Sequence, residues 1–242
     1  MFVITGGTSG IGHALACALV ARDHEVCVVG RRALLLKELT QFSPYIHCIE
    51  ADISTEAGCE RVALALKDVG PLKALINNAG IIEPIAPIST LTRQAWHTLM
   101  STNLDAPLFL TQLLKEQLHG GRVLNIGSGA AYLEIAGWAA YCVSKAALSM
   151  LTRCWQLECP EIAFASVMPG IVDTAMQAVI RESTSMAAEK HDFFVKLKRE
   201  SQLLTVEQVA EYLAMLLVDI DFETFRSKEW DIYESYAQFP EE

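Results

Sequence analysis

The chain opens Met1-Phe2-Val3-Ile4 and runs directly into Thr5-Gly6-Gly7-Thr8-Ser9-Gly10-Ile11-Gly12. An apolar run, a glycine-rich turn and then the helical tract His13 to Ala21 predict a strand, a tight turn and a helix in immediate succession. That succession cradles phosphate. Glycine permits positive φ and close backbone approach, and the following helix presents unpaired N–H groups and the positive end of its dipole to a pyrophosphate. The spacing is G-x-x-x-G-x-G, not the G-x-G-x-x-G of the commonest dinucleotide fingerprint. A lone glycine-rich run is weak evidence, and the strand before it and the amphipathic stretch after it strengthen it.

The next apolar run, Glu25-Val26-Cys27-Val28-Val29-Gly30, ends in Arg31-Arg32. An NAD-binding fold carries an acidic residue here for the ribose 2′-hydroxyl. Two guanidinium forks instead suit a 2′-phosphate, which a carboxylate would repel. The expectation is therefore NADP(H), with a pair of solvated surface arginines as the alternative.

Beyond this start, short β-branched or apolar runs alternate with helical tracts, the pattern of a parallel sheet covered on both faces. Strands are predicted at 2–4, 25–29, 46–50, 73–76, 122–126 and 163–167. Helices are predicted at about 10–22, 32–41, 55–68, 92–118, 139–158 and 205–218. The fold expected is a Rossmann-type doubly wound α/β sheet in one domain, 1–242, without repeat or linker. The polar segment 173–203 lies beyond the last of these strands and is a candidate lid over a substrate pocket.

Composition narrows the function class. The 242 residues are 52% hydrophobic and 20% charged, with a formal net charge of −10, and mean hydropathy is +0.28. An acidic chain disfavours nucleic acid and anionic membrane as partners. No stretch of about 20 uncharged apolar residues appears, and residues 2–4 already belong to a strand, so a soluble cytoplasmic protein is expected. The seven cysteines show no C-x-x-C pair and read as reduced thiols, mostly small core hydrophobes. The six histidines show no metal-ligand spacing, and no metal site is expected.

Near the middle stands Gly137-Trp138-Ala139-Ala140-Tyr141-Cys142-Val143-Ser144-Lys145. The i,i+4 spacing puts Tyr141 and Lys145 on one helix face. An ammonium beside a phenol favours the phenolate, so the pair would exchange a proton with a substrate oxygen near neutral pH. Taken alone, a Tyr and a Lys on a half-exposed helix remain the alternative. Cys142 adjoins Tyr141, but neighbouring helical side chains diverge by about 100°, which argues against a catalytic role.

Together, T-G-x-x-x-G-I-G at Thr5 to Gly12, N-N-A-G at Asn77 to Gly80, Ser128, and Y-x-x-x-K at Tyr141 and Lys145 resemble the short-chain dehydrogenase/reductase family over essentially the whole chain. Three further stretches are similar to its sepiapterin reductase and benzil-type diketone reductase branch: Gly137 to Cys142, Pro169 to Gln177, and Phe225-Arg226-Ser227 with Trp230 to Tyr233. The resemblance implies that Tyr141 is the general acid, that Lys145 lowers its pKa and holds the nicotinamide ribose, and that Ser128 orients the carbonyl. It implies that Asn103 supports the lysine through a water. On the cofactor side it implies Gly6, Thr8, Ser9, Gly10, Ile11 and Gly12 in the turn. Arg31 and Arg32 follow for the phosphate, Asp52 and Ile53 for the adenine, and Asn78, Ala79 and Gly80 for the adenosine ribose. Pro169, Gly170 and Thr174 complete this set, Thr174 at the carboxamide. Asn77 reads as structural.

Read without the family, Ser128 is a turn serine, Asn103 a satisfied helix amide and Asp52 a helix cap. Asp231 aligns with an aspartate that anchors a pterin ring, although the segment Arg226 to Asp231 is one residue shorter than that pattern, and a solvated acid is the alternative. Trp138, Met176 and Gln177 are candidates for the pocket wall. Ser9 stands where NADP-dependent relatives often carry a basic residue, which leaves the preference to Arg31 and Arg32. The expected activity is NADPH-dependent reduction of a ketone, a pterin side chain or an α-dicarbonyl. The alternatives are reduction of 3-oxoacyl thioesters, less suited to an acidic chain meeting an acidic carrier protein, and a non-catalytic NADP(H) sensor. A homodimer or homotetramer is expected, built on the helices at 92–118 and 139–158.

Overall fold

The computed structural model describes residues 1–236, so the last six residues of the expected domain lie outside the described residues. Seven strands are formed: β1 Phe2–Thr5, β2 Val26–Gly30, β3 Ile46–Glu50, β4 Ala74–Asn77, β5 Arg122–Ile126, β6 Ala163–Met168 and β7 Trp230–Asp231. They make one sheet in the order β3-β2-β1-β4-β5-β6-β7, and every neighbouring pair is parallel. The order reverses between β1 and β4. A crevice must open there at the carboxyl ends of the strands, and the glycine turn lies directly on it.

The helices are α1 Gly10–Val20, α2 Ala33–Phe42, α3 Glu56–Leu66, α4 Arg93–Met100, α5 Ala106–Leu114, α6 Ala139–Glu158, α7 Ala175–Glu182, α8 Ala188–Arg199, α9 Val206–Val218, α10 Phe222–Arg226 and α11 Ile232–Tyr236. Because strand side chains alternate in direction, Val3 and Ile4 enter different layers. Ile4, Val28 and Leu124 pack with Leu15 and Leu19 of α1 and Leu213 of α9. Val3, Leu75 and Val123 pack on the opposite face with Val62 of α3 and Leu110 and Leu114 of α5. Covering on both sides is why these strands read as continuous apolar runs. A third cluster, which includes Ile82, Leu99, Trp138, Tyr141, Ile180 and Phe194, lies beside the crevice.

The six expected strands and the helices around 10–22, 32–41, 55–68, 139–158 and 205–218 are all present, with bounds shifted by at most two residues at most ends. Two expectations need correction. The tract 92–118 is not one α-helix: between α4 and α5, Ser101–Asp105 widens into a π turn, and Glu116–Leu118 closes as a 3-10 turn. Pro107 in the first turn of α5 has no N–H to donate, so the ladder there is already incomplete and tolerates an extra residue. The second is β7, two residues long and too short to leave a periodic signal. The segment 173–203 folds into α7 and α8, its neck closed by a bridge between Val172 and Leu204 and by a Lys198–Asp173 ion pair at 2.6 Å. Among the described residues no helix is long and apolar enough to cross a membrane.

Candidate active site

The crevice is a cleft of about 1040 Å³ running from Arg31 and Arg32 at one end to α7 and α8 at the other. Its first end is built by the glycine turn. Gly6 takes φ +64°, and a Cβ there would lie 2.9 Å from Ala79 Cα, so only glycine lets the turn close on the loop after β4. Gly12 is needed for a different contact: its Cβ would meet Asn78 Nδ2 at 2.4 Å. That amide donates to Thr5 O at 2.8 Å and Gly6 O at 3.2 Å, and the Thr5 hydroxyl accepts from the backbone N–H groups of Asn78 and Ala79. The ends of β1 and β4 are thus sewn together.

Ser9 holds the N-cap position of α1 in extended backbone, yet its hydroxyl caps nothing. It accepts instead from Arg32 Nη2 at 2.6 Å, and the same guanidinium donates to Thr8 Oγ1 at 2.7 Å. The first turn of α1 therefore keeps N–H groups without a side-chain partner, a ready anion site, with a pre-oriented arginine beside it. Arg31 lies 3.6 Å from Asp52, both half exposed. Asp52 Oδ1 accepts from Ser54 N and Oγ. Burial raises its carboxyl, but these hydrogen bonds and Arg31 outweigh burial and hold it below the ordinary 3.8. The cap of α3 is Thr55, whose hydroxyl accepts from Gly58 N.

At the middle of the cleft, β5 delivers Ser128 and α6 delivers Tyr141 and Lys145. Ser128 Oγ accepts from Ala130 N at 3.1 Å and fixes the turn after β5. Lys145 Nζ donates to Ile126 O at 2.7 Å and lies 5.7 Å from the Tyr141 ring centre. Burial raises the Tyr141 phenol above its usual value, and a hydrogen bond from Ser128 opposes this only in part. Burial brings the Lys145 ammonium down to about 8. The sequence expectation of a phenol lowered by its lysine is thus reversed in the free protein: exclusion of water penalises phenolate and ammonium alike.

The far end is apolar. Trp138 stacks on Phe194 of α8, centroids 5.5 Å apart, and meets Tyr141 edge-on at 5.8 Å. Met176, Gln177 and Ile180 of α7 and Asp231 of β7 complete the wall. Asp231 Oδ1 accepts from Tyr233 N at 2.9 Å, so one carboxylate oxygen is already used. Thr174 sits against Gly10 at the junction of the two halves.

Of the residues singled out from sequence, Gly6, Thr8, Ser9, Gly10, Ile11, Arg31, Arg32, Asp52, Ile53, Asn78, Ala79, Gly80, Ser128, Trp138, Tyr141, Lys145, Pro169, Gly170, Thr174, Met176, Gln177 and Asp231 all line this cleft. Gly12 and Asn103 do not. Gly12 packs beneath the turn, whereas the π turn directs Asn103 inward, where Oδ1 accepts from Ile81 N and Nδ2 donates to Ile81 O and Ser144 Oγ. Asn103 therefore supports the site from behind by holding the loop after β4 to α6. Sequence reasoning missed Lys190, Phe193 and Phe194, which reach the cleft from α8. The polar face of that helix masked them, though the adjacent phenylalanines were a signal. No cluster of three or more metal-ligating side chains occurs among the described residues.

The model of the short chain dehydrogenase family matches residues 1–185. The chain is 34% identical over 237 residues to a benzil reductase, (S)-benzoin forming, of Bacillus cereus, covering 91% of this chain and 94% of that one. A benzil reductase of Bacillus subtilis is 33% identical over 231 residues, 90% and 93% of the two chains. Among solved structures, the KRED1-Pglu enzyme superposes with a TM-score of 0.89 at 28% identity, over 94% of this chain and 98% of that one. With the motifs, the sheet and the matched length in agreement, the chain belongs to the short-chain dehydrogenase/reductase family and is an oxidoreductase.

Proposed function

We propose that the protein is an NADP(H)-dependent carbonyl reductase acting on α-dicarbonyls. The observation that carries this reading is one cleft that brings Ser128, Tyr141 and Lys145 together under an aromatic wall while Arg32 is held ready over the first turn of α1. The donor set fits a phosphorylated dinucleotide: free N–H groups for the pyrophosphate, and two guanidinium groups at the end of β2 for the 2′-phosphate. A nicotinamide bound in this cleft would supply hydride to the carbonyl carbon. Tyr141 gives its phenolic proton to the carbonyl oxygen, converting C=O to CH–OH, and Ser128 donates a hydrogen bond to the same oxygen. A phenol raised by burial stays protonated at neutral pH, as an acid must. The Lys145 ammonium then stabilises the phenolate left behind.

The apolar wall and the benzil reductase relatives favour a diketone. A pterin is less favoured, since Asp231 has one oxygen committed to Tyr233 N. A thioester on a carrier protein is disfavoured by the net charge of −10. The test is NADPH oxidation with benzil, sepiapterin and an acetoacetyl thioester, repeated with NADH. Turnover of benzil is expected, with NADPH better than NADH by kcat/KM, and Arg32→Ala removing most of that preference. Turnover of the thioester alone, or equal use of NADH, would reject the reading.

We further propose self-association through α5 and α6. Phe109 and Leu113 of α5 and Val143, Met150 and Leu157 of α6 leave 46–83% of their surface exposed, and the last three recur every seven residues along one face.

A further inference from the structure

The turn that carries Ser128 is fastened to α6 at two points. At its start, Ser128 hydrogen-bonds the Tyr141 phenol. Four residues on, the Tyr132 phenol lies 2.9 Å from Ser149 Oγ and donates to Glu229 Oε2, and Ser149 Oγ is 3.5 Å from the same carboxylate oxygen. A phenol has one proton to give, so with Glu229 as its acceptor it accepts from Ser149. Tyr141, Lys145 and Ser149 follow one another at i,i+4 spacing on one face of α6, and all three are buried. The two fastenings are therefore about 12 Å apart along the helix, with Lys145 midway between them. Among the described residues the other hydrogen bonds of the turn, from Ala130 N, Ala131 N and Tyr132 N to Ser128 and Gly129, stay within it. A Cβ at Gly129 would meet nothing within 4 Å, so the turn has room to move where it is not tied. Glu229 stands directly before β7, so this one contact joins the turn, α6 and the edge strand that carries Asp231.

We infer that Tyr132 is a positioning residue for Ser128: through Ser149 and Glu229 its phenol holds the far end of the turn against α6, and so fixes where the Ser128 hydroxyl meets a carbonyl oxygen. This rests on the carbonyl reductase reading and extends its machinery to a side chain outside the cleft, since Ser128, Gly129, Ala130 and Leu133 line the cleft and Tyr132 does not. A donor aimed at a developing oxyanion acts only at the right distance and angle, and a small misplacement of a reacting group is costly in rate. Loss of the Tyr132 hydroxyl therefore slows the chemical step and leaves dinucleotide affinity alone. Glu229 serves as an acceptor and not as a charge, so an uncharged acceptor of the same shape replaces it.

The test is the single-turnover rate of NADPH oxidation by benzil, read beside the Kd for NADPH, in the wild type, Tyr132→Phe, Ser128→Ala and the double variant. Tyr132→Phe keeps the ring and is expected to slow the reaction about tenfold, with the Kd for NADPH and the Tm nearly unchanged. In the Ser128→Ala background the same change is expected to cost less than about twofold, because the group it positions is gone. Glu229→Gln keeps an acceptor for the phenol and is expected to stay within about twofold of the wild type, whereas Glu229→Leu falls as Tyr132→Phe does. An equal loss from Tyr132→Phe in both backgrounds, or no loss in either, would show that the clasp serves the fold alone and overturn the inference while leaving the reductase intact. A wild type that leaves benzil unreduced would remove the reductase reading, and this inference with it.

Discussion

Burial moves the two central ionisable residues in opposite directions: the Tyr141 phenol goes up, and the Lys145 ammonium comes down to about 8 from its ordinary 10.5. Two consequences follow for Lys145. For activity, the ammonium that in the proposed mechanism would stabilise a Tyr141 phenolate is present below pH 8 and lost above it, so kcat for ketone reduction should fall along a single limb centred near pH 8. A profile flat to pH 10 would show that the charge is not needed. For stability, the folded state binds this proton less tightly than the unfolded state, so folding stability rises with pH between about 8 and 10.5. Below pH 8 the full penalty, roughly 3 kcal/mol, is carried by the fold. The hydrogen bond to Ile126 O offsets about 1 kcal/mol of it. Lys145→Met is accordingly expected to be inactive yet about 2 kcal/mol more stable to urea at pH 7, with most of that gain gone at pH 10.5. Tyr141→Phe should lower kcat by two to four orders of magnitude with little change in stability.

At the scale of elements, the site depends on how closely β1, the glycine turn and α1 pack against the loop after β4. Gly12→Ala places a methyl group 2.4 Å from Asn78 Nδ2 and 2.9 Å from Gly6 O. Asn78 cannot swing away without losing its bonds to Thr5 O and Gly6 O. A loss of about 2 kcal/mol is expected, a fall of roughly 5 °C in Tm for a chain of this size, together with weakened dinucleotide binding. An unchanged Tm would mean that the turn has slack the geometry does not show. This turn was legible from sequence because its demand is local: a strand, glycines at fixed offsets and a helix follow one another within twenty residues. Tyr141 and Lys145 were legible for the same reason, since helix periodicity alone puts them on one face. The π turn at Ser101–Asp105 was not, because a widened turn is set by what Asn103 meets across the molecule, in Ile81 and Ser144. The aromatic wall was half legible. Trp138 lies in a recognisable motif, whereas Phe194 reaches it only through the fold of α7 and α8. The direction of the Tyr141 shift was read wrongly because spacing reveals the neighbour but not the absence of water.

At the scale of the whole molecule, the sheet buries both of its faces, but α5 and α6 do not bury theirs. Their outward residues include Leu157 at 83% and Met150 at 52% exposure, and a seven-residue recurrence of apolar side chains is what a helix presents to another helix. Two such helices from each of two copies would stack as four, enough to cover the roughly 800 Å² per partner of a standard interface. Tyr141 and Lys145 lie on the inner face of the same α6, so pairing the outer face would hold that helix from both sides. Sedimentation velocity is expected to give at least twice the 26.6 kDa of one chain. The double variant Met150→Glu, Leu157→Glu sets charges in the centre of this face and should halve the mass, because an unpaired charge buried at an interface costs several kcal/mol. Both residues point away from the cleft, so the fold of the single chain should survive, and any fall in kcat on dissociation would measure how far α6 relies on its partner. A wild type sedimenting at 26.6 kDa would leave the apolar stripe without an occupant and defeat the proposal.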